Sequence, residues 1–282
     1  MTGTPLTWLY VPGDRPEVVA KALRSGADVV LVDLEDAVAP DRKEYARSAT
    51  AELLSDPAPG PAPVHVRVNA LDGPLAAADV RTLTGLPGLA GLRLPKVTGA
   101  PDLARVAHWA GPRLPPLYAL LESALGVERA YEIATAHPAP CGIALGEADL
   151  RADLGVAGSH GLAYARSRTV VAARAAGLAP PPQSVYPDVR DTEGLAASCA
   201  EGRAAGFLGR TAIHPRQLPV IERAFRPTAE EIESARQVVE AARTEAGALA
   251  LPDGRFVDAA VVAAATRTLE LATRADHAPT GA

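Results

Sequence analysis

Hydrophobic and polar positions follow two rhythms along this chain. Short apolar runs, often β-branched and bounded by Gly, Pro or charged residues, fall at Trp8–Val11, Val29–Leu34, Val64–Val68, Gly91–Leu94, Leu117–Leu121, Gly142–Leu145, Ser184–Tyr186 and Gly209–Ile213. Runs of that length and composition read as strands. Between them apolar residues recur every three or four positions, and the windows 41–54, 75–84, 101–110, 124–136, 161–176 and 192–205 read as helices. An earlier helix carries Val18, Val19, Ala22 and Leu23 on one face. Its opening, Asp14-Arg-Pro-Glu17, predicts an acidic N-cap with Glu17 at the capping-box position.

Strands that alternate with helices specify a parallel sheet with crossover connections. Eight such units are the number that closes a (β/α)8 TIM barrel, which is the expected fold over residues 1–225. A doubly wound open sheet is the alternative, but it usually shows a Gly-rich turn after its first strand. The first strand here ends in Pro12-Gly13-Asp14, without that fingerprint. Residues 226–282 predict a C-terminal helical extension. In it, Thr228-x-x-Glu231 is a capping box opening a helix with Ile232, Ala235, Val238, Val239 and Ala242 on its apolar side. Leu251-Pro-Asp-Gly-Arg255 predicts a turn, a last helix follows Asp258 with Val261, Val262, Ala265 and Leu269, and His277–Ala282 predicts a frayed tail.

Composition narrows the function classes. The chain has 282 residues, 48% hydrophobic and 22% charged, enough for a full core and too apolar for intrinsic disorder. With 4% aromatic residues and one Met, core volume must come from Ala, Val and Leu. A net charge of −5 without a Lys/Arg cluster argues against nucleic-acid or membrane-surface partners. No segment approaches the ~18 apolar residues of a membrane span, and the start, MTGTPLTWLYVPGDRP, lacks signal-peptide features. Cys141 and Cys199 are too few and too isolated for a disulfide scaffold, so a reducing, cytoplasmic location is expected.

In a barrel, chemistry gathers where strands end and βα loops begin. The polar residues at those ends are Asp33, Glu35 and Asp36, then Arg67 and Asn69, Lys96, Glu122, Glu147 with Asp149, Tyr186 and His214. Several carboxylates with one Arg and one Lys at one mouth describe a small acidic ligand beside a divalent metal. Carboxylates from two strand ends suit Mg²⁺, which takes one or two and keeps several waters. Plainer roles stand beside these. Asp149 caps a helix, Arg67 pairs with Glu35 or Asp36, Lys96 is a solvated loop residue, His214 is a hydrogen-bonded structural residue, and Asp258 is an N-cap. The other histidines show no metal spacing, and no Gly-x-Ser-x-Gly elbow, Walker A loop or HExxH motif is present.

These residues resemble a known family. Leu9-Tyr-Val-Pro-Gly-Asp-Arg-Pro16, Val32-Asp-Leu-Glu-Asp-Ala-Val38, Val66-Arg-Val-Asn69, Leu94-Pro-Lys-Val97, Leu121-Glu122 with Gly126, and Gly146-Glu-Ala-Asp-Leu150 running to Asp153-Leu-Gly155 occur in order. Gly206-Phe-Leu-Gly-Arg210, Ala212-Ile-His-Pro-Arg-Gln217 and Asp253-Gly-Arg-Phe-Val-Asp258 follow. Together they resemble the citrate lyase beta-subunit-like branch of the HpcH/HpaI aldolase superfamily, which includes malyl-CoA and citramalyl-CoA lyases.

The resemblance implies a TIM barrel with a C-terminal extension and a Mg²⁺-dependent carbon–carbon lyase acting on a 3-hydroxyacyl-CoA. It implies Glu122 and Asp149 as Mg²⁺ ligands and Arg67 on the substrate's carboxylate or carbonyl oxygen. Glu35 and Asp36 would orient metal-bound water and the arginine, Lys96 would lie near the ligand, and amides of Gly146, Glu147 and Ala148 would hold a carboxylate. Asp258 would serve as an acid reaching a neighbouring subunit's site, commonly within a homotrimer. Ser123 stands where Thr often follows the metal-binding Glu, and Arg210 where Lys is common, which leaves the contact to CoA or an acyl carrier protein open. A thioesterase on the same scaffold, a CoA-independent pyruvate aldolase and a non-catalytic oxoacid- or CoA-binding subunit are the competing readings. The aldolase branch usually has a His after the second strand, where this chain has Glu35-Asp36.

Overall fold

The computed structural model describes residues 4–138, 140–244, 249–250 and 254–273. They divide into two compact units, Pro5–Glu222 and the residues from Arg223 on. In the first unit β1 (Thr7–Pro12), β2 (Val29–Asp33), β3 (Val64–Arg67), β4 (Leu89–Leu94), β5 (Leu117–Leu121), β6 (Gly142–Leu145) and β7 (Arg210–Ala212) form one sheet. Its order is β6-β5-β4-β3-β2-β1-β7, and every pairing is parallel. Helices α1 (Pro16–Ala22), α2 (Lys43–Leu54), α3 (Ala76–Leu83), α4 (Ala100–Ala110), α5 (Ala124–Glu128), α6 (Ala130–Ala134), α7 (Glu147–Leu154), α8 (Ala163–Ala175) and α9 (Thr192–Ala204) connect the strands. This is the expected TIM-barrel class. Parallel strands buried on both faces need continuous apolar runs, and β2, VVLVD, is buried at every position.

The seventh expected strand, Ser184–Tyr186, is reduced to a single parallel bridge between Gln183 and Arg210. Prolines at 180, 181, 182 and 187 flank it, and a residue without an N–H cannot extend a ladder. Across the remaining gap, the Glu147 amide donates to the Ser184 hydroxyl at 3.2 Å. The window 124–136 forms two short helices rather than one. Helix α1 starts with Pro16 after an Arg15 that makes no side-chain cap. Asp14 does not cap it and lies instead 3.7 Å from Arg42.

Low aromatic content does leave the core to aliphatics: Leu, Val and Ala dominate the buried set. Inside the sheet, Trp8, Val29 and Leu31 cluster with Tyr10. Arg93 is 2% exposed there, with its guanidinium carbon 5.8 Å from the Trp8 ring centre and 5.2 Å from that of Tyr118. His65 stacks on Tyr118 at 4.7 Å.

Helix α10 (Leu218–Phe225) contains the boundary between the units. In the second unit, α11 (Ala229–Thr244) opens with the expected capping box. The Thr228 amide donates to Glu231 at 2.8 Å, and the Glu231 amide to the Thr228 hydroxyl at 3.1 Å. Strands β8 (Leu249–Ala250) and β9 (Phe256–Val257) pair antiparallel, and α12 (Ala259–Thr273) follows. Ala235, Val238, Val257 and Ala265 form this unit's core, with Val239, Val261, Val262 and Leu269 against it. Most of the expected turn at 251–255 and the whole tail at 277–282 lie outside the described residues. Among the described residues no helix is long and apolar enough to cross a membrane.

Candidate active site at the carboxyl ends of the strands

The strand ends are built around an arginine. Register places Asp33 at the end of β2 beside Arg67 at the end of β3. The Arg67 Nε donates to Asp33 Oδ1 at 2.8 Å and Nη2 to Oδ2 at 2.7 Å. Nη1 lies 3.0 Å from Glu35 and 3.1 Å from Asp36, and the guanidinium faces the Tyr10 ring at 5.0 Å. The expected pairing of Arg67 with Glu35 and Asp36 is present. Asp33 is 1% exposed, and burial opposes its ionisation. Its bonds to Arg67 and to the amides of Glu35 and Ala37 outweigh that and hold the carboxyl below the usual range. For Arg67, burial works against the charge, and the bonds to Asp33 reverse it, fixing the guanidinium as a cation.

Lys96, just past β4, links this cluster to the next. It has φ of +53°, the left-handed region, alone among non-glycine residues described. That turn aims its amide at Glu122 Oε2, 2.7 Å away, and its Nζ at Glu35 Oε1, 2.6 Å away. Nζ also lies 3.9 Å from Asp36. Burial lowers the lysine's proton affinity, but the bond to Glu35 raises it further, so the ammonium stays charged. Glu35 is 4% exposed, and burial pushes its carboxyl up against the pull of Arg67 and Lys96.

Glu122 follows β5 and is 5% exposed. Burial first, then repulsion from Glu35, pushes its carboxyl up to about 7, with Asp149 adding to the rise. Asp149 sits in the first turn of α7. Glu122 and Asp149 line a single cavity of about 420 Å³ together with Lys96, Ser123, Thr98, Leu71, Asp72, Asp102, Arg105 and Asp153. Among the described residues no three His, Cys, Asp or Glu side chains gather tightly enough to hold a metal unaided. Two carboxylates and room for water is the arrangement a hard divalent ion accepts.

Other expected residues fall differently. The Gly146 amide is spent on the Leu121 carbonyl at 2.9 Å, and that of Glu147 goes to Ser184. The Glu147 carboxylate receives Nε and Nη2 of Arg166, both at 2.7 Å, and lies outside the cavity lining. A charge-assisted bidentate pair satisfies it without a ligand. The first-turn amides of Ala148 and Asp149 remain as the helix-end donors. Asp258 belongs to the second unit, where its Oδ1 caps α12 through the Val261 amide at 2.9 Å. His214 caps locally, its Nδ1 accepting the Arg216 amide at 3.1 Å. Arg210 is 4% exposed and donates to Ser184 O at 2.9 Å, Ser198 Oγ at 3.0 Å and Cys199 Sγ at 3.3 Å. Those bonds make it an internal brace rather than a surface contact.

Sequence reasoning did not assign Asp33 a role, although an acid one strand over and in register with Arg67 was a usable signal. Arg105, which lines the cavity, was not singled out because it lies within α4, beyond the loops where chemistry was sought.

Comparison with known proteins places this architecture. The HpcH/HpaI aldolase/citrate lyase family matches residues 6–215, and a family of C–C bond lyases of the TIM-barrel fold matches residues 172–268. A (3S)-malyl-CoA thioesterase of Cereibacter sphaeroides is 39% identical over 271 residues, covering 93% of this chain and 92% of the relative. The CitE protein of Mycobacterium tuberculosis in complex with magnesium, acetoacetate and coenzyme A superposes with a TM-score of 0.82 at 35% identity, covering 97% of this chain and 100% of that one. The citrate lyase beta subunit of M. tuberculosis with oxaloacetate and magnesium gives 0.68 at 36% identity, covering 79% and 97%. A TIM barrel whose strand ends carry this arginine, lysine and carboxylate set, with matches spanning nearly its whole length, belongs to the HpcH/HpaI aldolase/citrate lyase family.

Proposed function

We propose that this protein is a Mg²⁺-dependent carbon–carbon lyase that cleaves, or forms, a 3-hydroxyacyl-CoA thioester of the malyl, citramalyl or citryl type. Its products are an acetyl thioester and a 2-oxoacid. The observation that carries this reading is the buried Glu122, crowded by other carboxylates and facing the same cavity as Asp149. A carboxyl pushed up to about 7 by burial and neighbouring acids is one that a cation would relieve. Glu122 and Asp149 would hold the ion. When bound, it supplies Lewis-acid polarisation of the substrate's hydroxyl or carbonyl oxygen. The magnesium in the two M. tuberculosis complexes supports the assignment.

The chain's own groups do the rest. Arg67, locked by Asp33, Glu35 and Asp36, presents a fixed positive charge to the oxygen on which charge builds. Asp33 is already satisfied by Arg67 and two backbone amides, and Glu35 is held by ion pairs with Arg67 and Lys96. The amides of Ala148 and Asp149 bind the substrate carboxylate at the start of α7. Lys96 holds Glu122 through its amide and Glu35 through its ammonium. Cleavage passes the hydroxyl proton to water in the cavity as the bond between the hydroxyl-bearing carbon and the methylene beside the thioester breaks, giving the oxoacid carbonyl and an enolate that takes a proton in turn. We assign that proton to Asp258 of a neighbouring copy, in a homo-oligomer we take to be a trimer working in the cytoplasm. The thioester is carried by free CoA in this reading, with an acyl carrier protein as the alternative.

A second reading is hydrolysis of the thioester on the same scaffold, favoured by the similarity to the (3S)-malyl-CoA thioesterase. One assay separates the two. Purified protein is given malyl-, citramalyl- and citryl-CoA with Mg²⁺ and then with EDTA, and oxoacid and free CoA are followed separately. Metal-dependent oxoacid release establishes the lyase. CoA release alone establishes the thioesterase, and silence on all three overturns free CoA as the carrier and moves the reading to a carrier-protein thioester or a binding role.

A further inference from the structure

The cavity holds a second cation that the reaction so far does not use. Arg105, on the second turn of α4, lines it alongside Glu122, Asp149 and Lys96. The Arg105 Nη2 donates to Asp102 Oδ1 at 2.5 Å. Asp102 is itself fixed, its Oδ2 accepting the Thr98 amide at 2.8 Å and hydroxyl at 3.1 Å. The Trp109 ring flanks the guanidinium, 5.8 Å from centroid to carbon. Two supports aim the side chain, and among the described residues its remaining N–H groups have no hydrogen-bond partner.

Charge makes this arginine decisive. The lining carries five carboxylates, Asp72, Asp102, Glu122, Asp149 and Asp153, against Lys96 and Arg105. The Lys96 ammonium is committed to Glu35 at 2.6 Å. A substrate's first carboxylate belongs beside Glu122, Asp149 and the start of α7. A second carboxylate on the same acyl group would meet only like charge, unless it reached Arg105. Guanidinium is the side-chain group best matched to a carboxylate.

Building on the lyase reading, we propose that Arg105 is a specificity-determining residue that recognises a second carboxylate on the acyl group. The enzyme then favours substrates of the citryl type, whose oxoacid product is a dicarboxylate, over malyl and citramalyl types, whose products carry one carboxylate.

The test compares oxaloacetate with pyruvate, which differ by that carboxylate. Calorimetric titrations in Mg²⁺ use wild type, Arg105→Met and Arg105→Lys, with circular dichroism confirming that each is folded. Wild type is expected to bind oxaloacetate about 10- to 100-fold more tightly than pyruvate, the range for one charge-assisted contact. Arg105→Met brings the two within about threefold without weakening pyruvate, and Arg105→Lys restores part of the gap. A wild-type ratio near one, a ratio that survives Arg105→Met, or no binding of either acid overturns the assignment. The same variants are assayed for kcat/KM on citryl- and citramalyl-CoA. If wild type cleaves neither thioester, the lyase reading on free CoA falls while the binding ratio still decides Arg105. If cleavage persists with an unchanged preference in Arg105→Met, only the role of Arg105 falls.

Discussion

The backbone of Gly146 lies directly against the side chain of Glu122: a Cβ at position 146 would collide with the Glu122 Cγ and Oε1. The absence of a side chain at the foot of α7 is thus what lets Glu122 stand where it does. Gly146→Ala is expected to cost about 1–3 kcal/mol through overpacking. It would also displace Glu122 and weaken Mg²⁺ binding at least tenfold, whereas a change confined to packing would leave affinity intact. Denaturant unfolding and metal titration of the same variant check both effects.

Removal of either proposed ligand makes a sharper test. Glu122→Ala and Asp149→Ala should remain folded and lose Mg²⁺-dependent turnover by at least a hundredfold. Full metal-dependent activity in folded protein would sink the ligand assignment.

Asp33 and Arg67 form a buried pair in which each satisfies the other. Asp33→Ala leaves a buried guanidinium held only by Glu35 and Asp36, at a cost of about 3–5 kcal/mol. Turnover should fall even in protein that stays folded, because Arg67 loses its aim. Unfolding curves and kcat on one preparation measure the two consequences separately.

Lys96 serves Glu122 through its backbone and Glu35 through its side chain, from a left-handed conformation. Lys96→Gly keeps the amide and suits that conformation, so stability should stay within about 1 kcal/mol of wild type. Activity should still drop, since Glu35 loses its ammonium partner. A variant of unchanged activity would show that only the amide matters.

His65 gives the fold a pH dependence of its own. Burial first, and then Arg93, lowers its pKa from 6.5 to about 3. A histidine buried neutral contributes stability in full above its unfolded pKa, and that contribution is lost as pH falls from 6.5 toward 3. At pH 5 the loss is about 2 kcal/mol. His65→Phe, which keeps a ring against Tyr118, should flatten the difference in unfolding free energy between pH 7 and pH 5 by about that amount.

Seven strands were legible because parallel strands buried on both faces need apolar runs and little else. The seventh in chain order misled because Ser184-Val-Tyr186 has strand composition, while the prolines around it remove the N–H groups a ladder needs. Asp14 read as a cap from spacing alone, but Arg42, far along the chain, takes its carboxylate. Glu147 shows the same limit. Its position after β6 is evident locally, yet its partner Arg166 lies 19 residues away on α8, and no local pattern announces such a pair. Helix α7 was read only at its start, around Asp149, because acids and arginine interrupt its apolar rhythm. Arg67, Lys96, Glu122 and Asp149 stand out as candidates because each is a polar residue at or just after the end of an apolar run, where a buried strand opens onto solvent.

The gap between β6 and Gln183 bears on how the barrel breathes. Among the described residues the bond from the Glu147 amide to Ser184 is the one hydrogen bond across it, so the ring of strands opens most cheaply there. Asp149 stands two residues past that bond, whereas Glu122 sits one strand inward. Both carboxylates lie on the same side of the seam, at the ends of strands that pair with each other, so thermal opening would leave Glu122 and Asp149 together and free only the far edge of β6. Amides of β6 that face the seam should exchange with deuterium faster than those of β2, which is paired on both sides.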